Sequence, residues 1–314
     1  MPDGSSLAVV IPAYRVAAFI RDVIARVPAS VRHVIVVDDA SPDDLQAVLG
    51  TISDPRLVVV RHAENRGVGG AMKTGFEKAL ALGADIVIKI DGDGQMDPAL
   101  IPQFVEPIVS GDADFTKGNR FDDLAFIRHM PLVRRVGNLG LSFLFKMASG
   151  YWHAFDPCNG YVAIRARILR RLNFDRLAER YFFEISLLCE AYFAKTVLQD
   201  IPMRPVYAGE TSSLSPMRSA TDFAPRLIGR SFYRIFMSYF MRDFNVVSVF
   251  LLGGAPAFVF GIGWSSYYWV RSIQSQVLTS TGTVMIGVLA IVLGFQLLLQ
   301  AIVLDIGNEP RRGR

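Results

Sequence analysis

The first third of the chain alternates between short apolar runs, rich in valine and isoleucine, and longer amphipathic stretches. The runs are residues 7–11, 33–37, 57–60 and 86–90, with a weaker candidate at 115–117. The stretches expected to be helical are residues 17–26, 43–50, 69–82 and 99–110. Because strands that alternate with helices are typical of parallel β-α-β units, the pattern predicts an α/β fold with a doubly wound, mostly parallel sheet covered on both faces.

The pattern becomes less regular between residues 121 and 215. Helical periodicity returns at residues 133–149 and 183–195, on either side of the loop at residues 156–160. We interpret this segment as the second half of the same domain, so that the first domain covers residues 1–220.

A basic, amphipathic segment follows at residues 221–245. Its arginines keep a helical spacing and fall on one side of a helical wheel, opposite a side of isoleucine and aromatic residues; they are Arg226, Arg230, Arg234 and Arg242. The pattern is typical of a helix that lies in a membrane interface with its basic side toward anionic headgroups. A surface helix of a soluble protein is the alternative.

Two uncharged apolar stretches complete the chain, at residues 246–270 and 284–304. Each exceeds the ~20 residues that a bilayer crossing requires, so residues 246–314 are predicted to form a transmembrane hairpin with a short basic tail. Arginines flank the outer ends of the hairpin, whereas the connection contains Arg271 alone. This asymmetry predicts a multi-pass protein of the plasma membrane with its first domain and both termini in the cytoplasm. Buried core helices are the alternative.

Composition changes this picture little. The chain has 314 residues, of which 51% are hydrophobic, and its net charge of +4 does not favour a nucleic-acid partner. The first 15 residues lack the basic and apolar regions of a secretory signal and lead directly into a strand. Small residues in the first span would permit close helix packing and hence a homo-oligomer; they are Gly253, Gly254, Gly261 and Gly263.

An acidic cluster follows the fourth predicted strand. Asp91 and Asp93 are separated by one glycine, and Gln95 supplies a neutral oxygen. Two carboxylates spaced in this way can converge on one hard cation, so we expect Asp91, Asp93 and Gln95 to bind Mg²⁺ or Mn²⁺. A solvated acidic turn is the alternative. A calcium loop of the EF-hand type is excluded because Pro102 stands where its twelfth residue would be glutamate.

Polar motifs also follow the other predicted strands. Pro12 and Tyr14 end the first strand, residues 37–43 (VDDASPD) end the second, and residues 61–70 (RHAENRGVGG) follow the third. Ligands of doubly wound sheets bind at the carboxyl ends of the strands. These motifs and the acidic cluster are therefore expected to share one binding edge.

Two later motifs complete a resemblance to a known family. They are residues 117–120 (KGNR) and residues 156–160 (DPCNG). Taken with the earlier motifs and the C-terminal hairpin, they resemble the family-2 glycosyltransferases of the GT-A fold. Within that family the chain is similar to the polyprenyl-phosphate glycosyltransferase branch, which includes dolichyl-phosphate mannose synthases. The resemblance covers residues 7–215 by motif and the membrane anchor by architecture.

The resemblance implies a role for each matching position. It implies a site for a UDP- or GDP-linked sugar formed by Pro12, Tyr14, Val37, Asp39, Asp91 and Gly92. It places the metal at Asp91, Asp93 and Gln95, and the sugar phosphates at Arg120. Asp93 and Arg120 are then the catalytic residues of a metal-dependent hexosyltransferase.

Several of these positions also have a structural interpretation. Pro12 and Val37 are equally well explained as the ends of strands, and Asp38 or Asp43 as the cap of the following helix. The related synthases carry an acidic residue where this chain has Val16, and residues 207–214 differ from them as well, so a mannose donor is not implied.

The acceptor implied by the resemblance is a lipid phosphate, undecaprenyl or dolichyl, bound by Arg120, Arg134 and Arg135. Because such a phosphate is already ionised at neutral pH, it needs no strong general base, and the product is a polyprenyl-monophosphate sugar formed with inversion. Glu184 is the candidate base if the acceptor is instead a sugar hydroxyl.

Three alternative functions remain open from the sequence. One is a membrane glycosyltransferase that extends a saccharide hydroxyl in polysaccharide synthesis, although the Gln-x-x-Arg-Trp motif of processive synthases is absent. Another is a catalytically silent membrane scaffold. A dinucleotide-dependent oxidoreductase is disfavoured because no Gly-x-Gly-x-x-Gly follows the first strand.

Overall fold

The computed structural model describes residues 4–120, 132–203 and 216–311, with side chains described outside 132–139 and 216–222. The chain divides into two compact units. The first comprises residues 1–231 with 310–314, and the second comprises residues 232–309.

The first unit is built on a mixed sheet. Its described strands are β1 (Leu7–Ala13), β2 (His33–Asp38), β3 (Leu57–Arg61), β4 (Ile86–Lys89), β5 (Phe115–Asn119), β6 (Val162–Arg165) and β7 (Leu198–Pro202). They lie in the order β3-β2-β1-β4-β6-β5-β7. Neighbours pair in parallel except β6, which is antiparallel to both β4 and β5. The expected doubly wound, mostly parallel sheet is therefore confirmed, while the short strands β6 and β7 were not predicted.

Helices cover both faces of this sheet. In the described part of the first unit they are α1 (Ile20–Ala25), α2 (Leu45–Gly50), α3 (Gly67–Ala81), α4 (Ile101–Ser110), α5 (Leu132–Ser149), α6 (Ala166–Leu169) and α7 (Phe183–Phe193), with short 3₁₀ turns at Pro98–Leu100 and Phe174–Arg176. Alternate residues of β1 point to opposite faces, so that Val9 belongs to one hydrophobic core and Val10 to the other. Such burial on both faces explains why the central strands are continuous apolar runs.

The second unit contains an antiparallel pair of long apolar helices, α9 (Val246–Ser275) and α10 (Thr281–Gly307). Asn245 begins α9 with a reciprocal capping box to Ser248. In the most apolar stretch of each helix only 22% and 17% of the residues are buried, whereas a core helix of a soluble protein would be mostly buried. Their length and composition make both helices candidate membrane spans.

Glycines allow the two helices to pack closely. A β-carbon on Gly254 would lie 2.9 Å from the Leu297 side chain, and one on Gly261 would lie 2.7 Å from the Ile291 backbone nitrogen. By contrast, a β-carbon on Gly263 would meet nothing within 4 Å. Two of the four glycines that favoured an oligomer are therefore used by contacts within the hairpin itself.

The basic segment differs from its prediction in two ways. It forms α8 (Pro216–Phe236), which continues as a π-helix over Met237–Arg242 and ends before the expected boundary. Its arginines do not all face outward: Arg230 pairs with Glu190 at 3.0 Å, and Arg234 is buried against Asp305. The expectation that all four face headgroups is thus wrong for these two.

Candidate active site

The polar residues expected at the site follow the carboxyl ends of the parallel strands. Asp39 follows β2, Asp91 follows β4 by two residues, and Arg120 follows β5. Since β1, β2, β4 and β5 all run in the same direction, these residues share one edge of the sheet. This is the edge at which ligands bind in open α/β sheets.

The start of this edge is formed by β1 and β2. Pro12 and Val37 are partners in the parallel register of the two strands. Tyr14 is 42% exposed beyond the strand end, with the Arg15 guanidinium 5.4 Å from its ring centre. Val16 is buried, and a β-carbon on Gly92 would lie 3.2 Å from its side chain. The apolar residue at position 16 therefore packs under the acidic cluster.

Asp39 is buried and fully engaged by the protein. Its carboxylate accepts hydrogen bonds from the backbone N–H groups of Arg66 at 2.9 Å and Gly67 at 2.7 Å. It also contacts His62 Nδ1 at 2.7 Å, while the other ring nitrogen lies 2.9 Å from Thr74 Oγ1. Asp39 thereby fixes the start of α3 at the edge of the sheet.

The glycines at the start of α3 serve chain packing. The N–H of Gly69 donates to the carbonyl of Glu179 at 2.7 Å. A β-carbon at this position would lie 2.0 Å from the carbonyl oxygen of Ala178, so no larger residue fits. Two N–H groups at this helix start, those of Gly69 and Gly70, are thus bonded to the preceding loop of α7.

The acidic cluster lies on a tight turn after β4. Asp93 accepts the backbone N–H of Gln95 at 3.0 Å, and Gly94 has a left-handed φ of +79°. Asp91 is 33% exposed, and one of its oxygens lies 2.6 Å from Lys89 Nζ. Both carboxylates are thus accessible at the turn, with Gln95 exposed beside them.

The donor set of this turn fits a cation that the protein shares with a phosphate ligand. In the described part of the chain, no three His, Cys, Asp or Glu side chains converge as a metal site. Mg²⁺ typically uses one or two carboxylates, with substrate phosphates and water completing its coordination. Asp91 and Asp93, with the Gln95 amide, match that requirement and do not form an all-protein cage.

A buried lysine stands beneath Asp91. Lys89 is 1% exposed and lies 3.3 Å from Glu184, at the start of α7. Burial favours loss of the lysine proton, but the carboxylates of Asp91 and Glu184 outweigh it and raise the pKa of Lys89. Burial raises the pKa of Glu184, although Lys89 opposes this shift. Glu184, the candidate base, is therefore held in an ion pair.

Arg120 is held by Asp156 from the DPCNG loop. Its Nε and Nη2 donate to the two carboxylate oxygens at 2.7 and 2.8 Å, and the guanidinium remains 41% exposed. Burial opposes the charge of Asp156, but the hydrogen bonds from Arg120 outweigh it and lower the pKa of the carboxyl. The backbone of Asp156 is left-handed, with a φ of +51°. Lys117, fully buried behind this pair, contacts Asp200 at 3.2 Å.

Two predicted acceptor residues, Arg134 and Arg135, lie on α5, and their side chains fall outside the described residues. So does the segment at residues 207–214, in which this chain departs from the related synthases.

Sequence reasoning assigned no role to Lys89, Asp156 or His62. Lys89 could have been found, because a charged residue between Ile88 and Ile90 interrupts an otherwise apolar strand. His62 lies in the loop between β3 and α3 and is only 9% exposed, because its ring contacts Asp39 and Thr74.

Comparison with known proteins agrees with this architecture. Residues 8–172 match the family model for glycosyl transferase family 2. The UDP-N-acetylglucosamine–dolichyl-phosphate N-acetylglucosaminyltransferase of Methanococcus voltae is 30% identical over 63% of this chain and 84% of its own length. The undecaprenyl-phosphate mannosyltransferase of Micrococcus luteus is 30% identical over 49% of this chain and 63% of its own length.

Among solved structures, the fold is similar to glucosyl-3-phosphoglycerate synthase from Mycobacterium tuberculosis in complex with UDP. The TM-score is 0.54 at 23% identity, over 73% of this chain and 80% of the other. These comparisons confirm the resemblance inferred from the motifs and the GT-A fold. The chain belongs to glycosyl transferase family 2.

Proposed function

We propose that the protein transfers a sugar from a nucleotide-sugar to a polyprenyl phosphate, giving a polyprenyl-monophosphate sugar and a nucleoside diphosphate. The observation that carries this proposal is the joint placement of accessible carboxylates and an arginine at one sheet edge. Asp91 and Asp93 follow β4, and Arg120 follows β5. Relatives that act on dolichyl and undecaprenyl phosphate support the choice of acceptor.

The donor side is assigned to the edge formed by β1, β2 and β4. The nucleotide-sugar is bound by Pro12, Tyr14, Val37, Asp39, Asp91 and Gly92. In this arrangement Tyr14 offers an exposed aromatic face, whereas Asp39 acts mainly by holding the start of α3. The UDP-sugar used by the M. voltae relative supports a uridine donor, and GDP-sugars belong in the same test.

Asp91, Asp93 and Gln95 would hold Mg²⁺ or Mn²⁺. When bound, such an ion neutralises the charge that develops on a diphosphate leaving group. The protein's own contribution is to fix the two carboxylates on the tight turn at Gly94. The structure of glucosyl-3-phosphoglycerate synthase in complex with Mn²⁺ and UDP-glucose, a protein of similar fold, supports this choice of ions.

The acceptor side is assigned to Arg120, with Arg134 and Arg135. Asp156 orients the Arg120 guanidinium through Nε and Nη2, and the side chain remains 41% exposed, so its charge can attract a phosphate. A phosphate oxygen attacks the anomeric carbon, the bond to the diphosphate breaks with its electron pair on the leaving group, and the configuration inverts. No proton has to be removed, so no general base is required.

A saccharide hydroxyl as acceptor is less well supported. Such a reaction needs a base, and Glu184 is the candidate. Its carboxylate is 12% exposed and lies 3.3 Å from the Lys89 ammonium. Although burial raises the pKa of Glu184, its small exposed fraction and its contact with Lys89 leave it poorly placed to reach the hydroxyl of a bound sugar.

The membrane hairpin brings the enzyme to its lipid substrate. We assign α9 and α10 to two membrane crossings, with the catalytic unit and both termini on the cytoplasmic face. The excess of arginine on that side supports this orientation.

A donor screen tests the proposed function. Full-length protein in detergent is supplied with undecaprenyl phosphate, Mn²⁺ and labelled UDP- or GDP-sugars, one at a time. We expect label in the organic phase with one donor, and loss of that label when EDTA is added. Release of free sugar with no lipid-linked product from any donor would contradict the proposal.

A further inference from the structure

Lys89 is an unusual residue for its position in the sheet. It ends β4, in which all four residues are buried. Val87, two residues earlier, belongs to the hydrophobic core shared with α7, so Lys89 points to the same face of the sheet. Lysine is almost never fully buried unless it is paired, which means that its contacts have to account for its presence.

The ammonium of Lys89 has one acceptor for each of its three N–H donors. Nζ lies 2.6 Å from Asp91 Oδ1, 3.2 Å from the Gly160 carbonyl oxygen and 3.3 Å from Glu184 Oε1. These acceptors come from three separate segments: the turn after β4, the DPCNG loop and the first turn of α7. Lys89 therefore joins the acidic cluster to the loop that holds Arg120.

The end of the DPCNG loop is shaped around this ammonium. A β-carbon on Gly160 would lie 2.3 Å from Lys89 Nζ and 2.8 Å from Asp91 Oδ2. Any residue other than glycine would displace the lysine, the aspartate or both. The glycine that ends the motif is thus explained by a close approach to the charged pair.

Charge explains why the contact matters for Asp91. Two carboxylates, Asp91 and Glu184, contact the single ammonium of Lys89. The ammonium offsets the repulsion between the two carboxylates and so allows them to lie close together. Glu184 is only 12% exposed in the first turn of α7, whereas Asp91 is 33% exposed and has more room to turn toward solvent. Loss of Lys89 would therefore change the position of Asp91 more than that of Glu184.

We propose that Lys89 is a positioning residue, which fixes the Asp91 carboxylate for the metal and nucleotide while Glu184 and the Gly160 carbonyl hold the ammonium. This inference rests on the proposed function, because it assumes that Asp91 contacts the metal and nucleotide.

The test measures Mn²⁺ binding to full-length protein by electron paramagnetic resonance, with UDP or GDP present. We expect Lys89→Met to weaken binding by about 10- to 100-fold, the usual effect of losing a residue that orients a metal ligand. Glu190→Gln is the matched control. Glu190 lies on α7, as Glu184 does, is buried, and pairs with Arg230 at 3.0 Å rather than with Lys89. It should leave Mn²⁺ binding unchanged.

A double variant separates positioning from charge compensation. In Lys89→Met with Glu184→Gln, no uncompensated charge remains buried. If Lys89 serves only to neutralise Glu184, the double variant regains wild-type Mn²⁺ binding, and this result would overturn the proposal. If Lys89 positions Asp91, binding stays weak even where the melting temperature recovers.

Gly160→Ala provides a second variant that retains every charge. Its added methyl group should weaken Mn²⁺ binding by displacing Lys89. If folded Lys89→Met and Gly160→Ala proteins both bind Mn²⁺ as tightly as the wild type, the positioning role of Lys89 is overturned, whereas the proposed function is not. If the wild-type protein fails to bind Mn²⁺ both with UDP and with GDP, the proposed metal-dependent function is overturned as well as the role of Lys89.

Discussion

Lys89 in the first unit and Arg234 in the second are both buried cationic side chains, and their surroundings differ. In the catalytic unit, Lys89 faces two carboxylates, one of which is partly exposed. In the hairpin unit, Arg234 donates to both oxygens of Asp305 at 2.8 Å, and the Tyr239 hydroxyl contacts the same carboxylate. The first cluster, in which one ammonium faces two carboxylates and one of these is partly exposed, is called the open cluster; the second, in which both charged side chains are buried, is called the closed cluster.

This difference is the one expected between a cluster that binds a ligand, as we propose for the first, and a cluster that stabilises the fold. We expect the open cluster to accept a further cation, because Asp91 is 33% exposed at the turn. The closed cluster links α8 to the end of α10 and leaves the Asp305 carboxylate satisfied. Variants of the closed cluster should therefore affect stability, and variants near the open cluster should affect binding and catalysis.

The largest effect is expected from Arg234→Met. It leaves Asp305 buried without its cation, which typically costs about 3–5 kcal/mol. We expect a marked fall in the melting temperature of the detergent-solubilised protein. The double variant Arg234→Met with Asp305→Leu should recover much of the loss, and an unchanged melting temperature in the single variant would show that the pair is not structural.

Asp93→Asn should have the largest effect on catalysis. Asp93 would stabilise the leaving group through the cation that it holds, and the loss of one group from such an electrostatic site typically costs about 10²- to 10³-fold in turnover. We expect this loss in the rate of lipid-linked sugar formation, with little change in melting temperature. Asp112→Asn is the control, since Asp112 precedes β5 at the opposite edge of the sheet. If Asp93→Asn is as active as Asp112→Asn and the wild type, Asp93 is not a catalytic residue.

Arg120→Lys tests the acceptor side with the charge retained. Lysine cannot reproduce the two-pronged contact of a guanidinium, and one charged hydrogen bond contributes about 1.5–3 kcal/mol. We expect the KM for undecaprenyl phosphate to rise by about 10- to 100-fold, while the KM for the donor changes little. Arg167→Lys is the control, since Arg167 is an exposed arginine that also pairs with a buried aspartate, Asp114. A rise in the KM for the donor alone would show that Arg120 binds the donor and not the lipid acceptor.

The smallest effect is expected within the hairpin. Gly261→Ala introduces a methyl group 2.7 Å from the Ile291 backbone nitrogen, and overpacking typically costs about 1–3 kcal/mol. Gly263→Ala meets open space in the described structure and should be neutral. If the melting temperature falls only in the second variant, Gly263 rather than Gly261 makes the important contact.

The sequence predicted the sheet and the edge that carries the site, because parallel strands buried on both faces leave an unmistakable apolar pattern. It did not predict β6 and β7, whose four and five residues are too short to show periodicity. The fates of Arg230 and Arg234 were missed as well. Their partners, Glu190 and Asp305, are 40 and 71 residues away in the chain, and helical periodicity contains no information about such contacts.

The sequence predicted which residues form the candidate site, but it predicted only part of their arrangement in space. The acidic cluster is local, so spacing alone indicated that Asp91 and Asp93 share one turn. Tertiary contacts determine the ion pair between Arg120 and Asp156. They also determine the position of Lys89 between three segments of the chain. Such contacts are visible only when the loop after α5 and the start of α7 meet the sheet.

The most direct test of the account compares two lipids that differ by a single phosphate. Purified protein is given Mn²⁺, the labelled donor and either undecaprenyl phosphate or undecaprenol, and the initial rate of label transfer to lipid is measured. Because we assign Arg120 to a charged acceptor, and because the candidate base Glu184 is only 12% exposed and contacts Lys89, we expect transfer to the phosphate alone, with a product heavier by one sugar residue. Comparable transfer to undecaprenol would contradict the account.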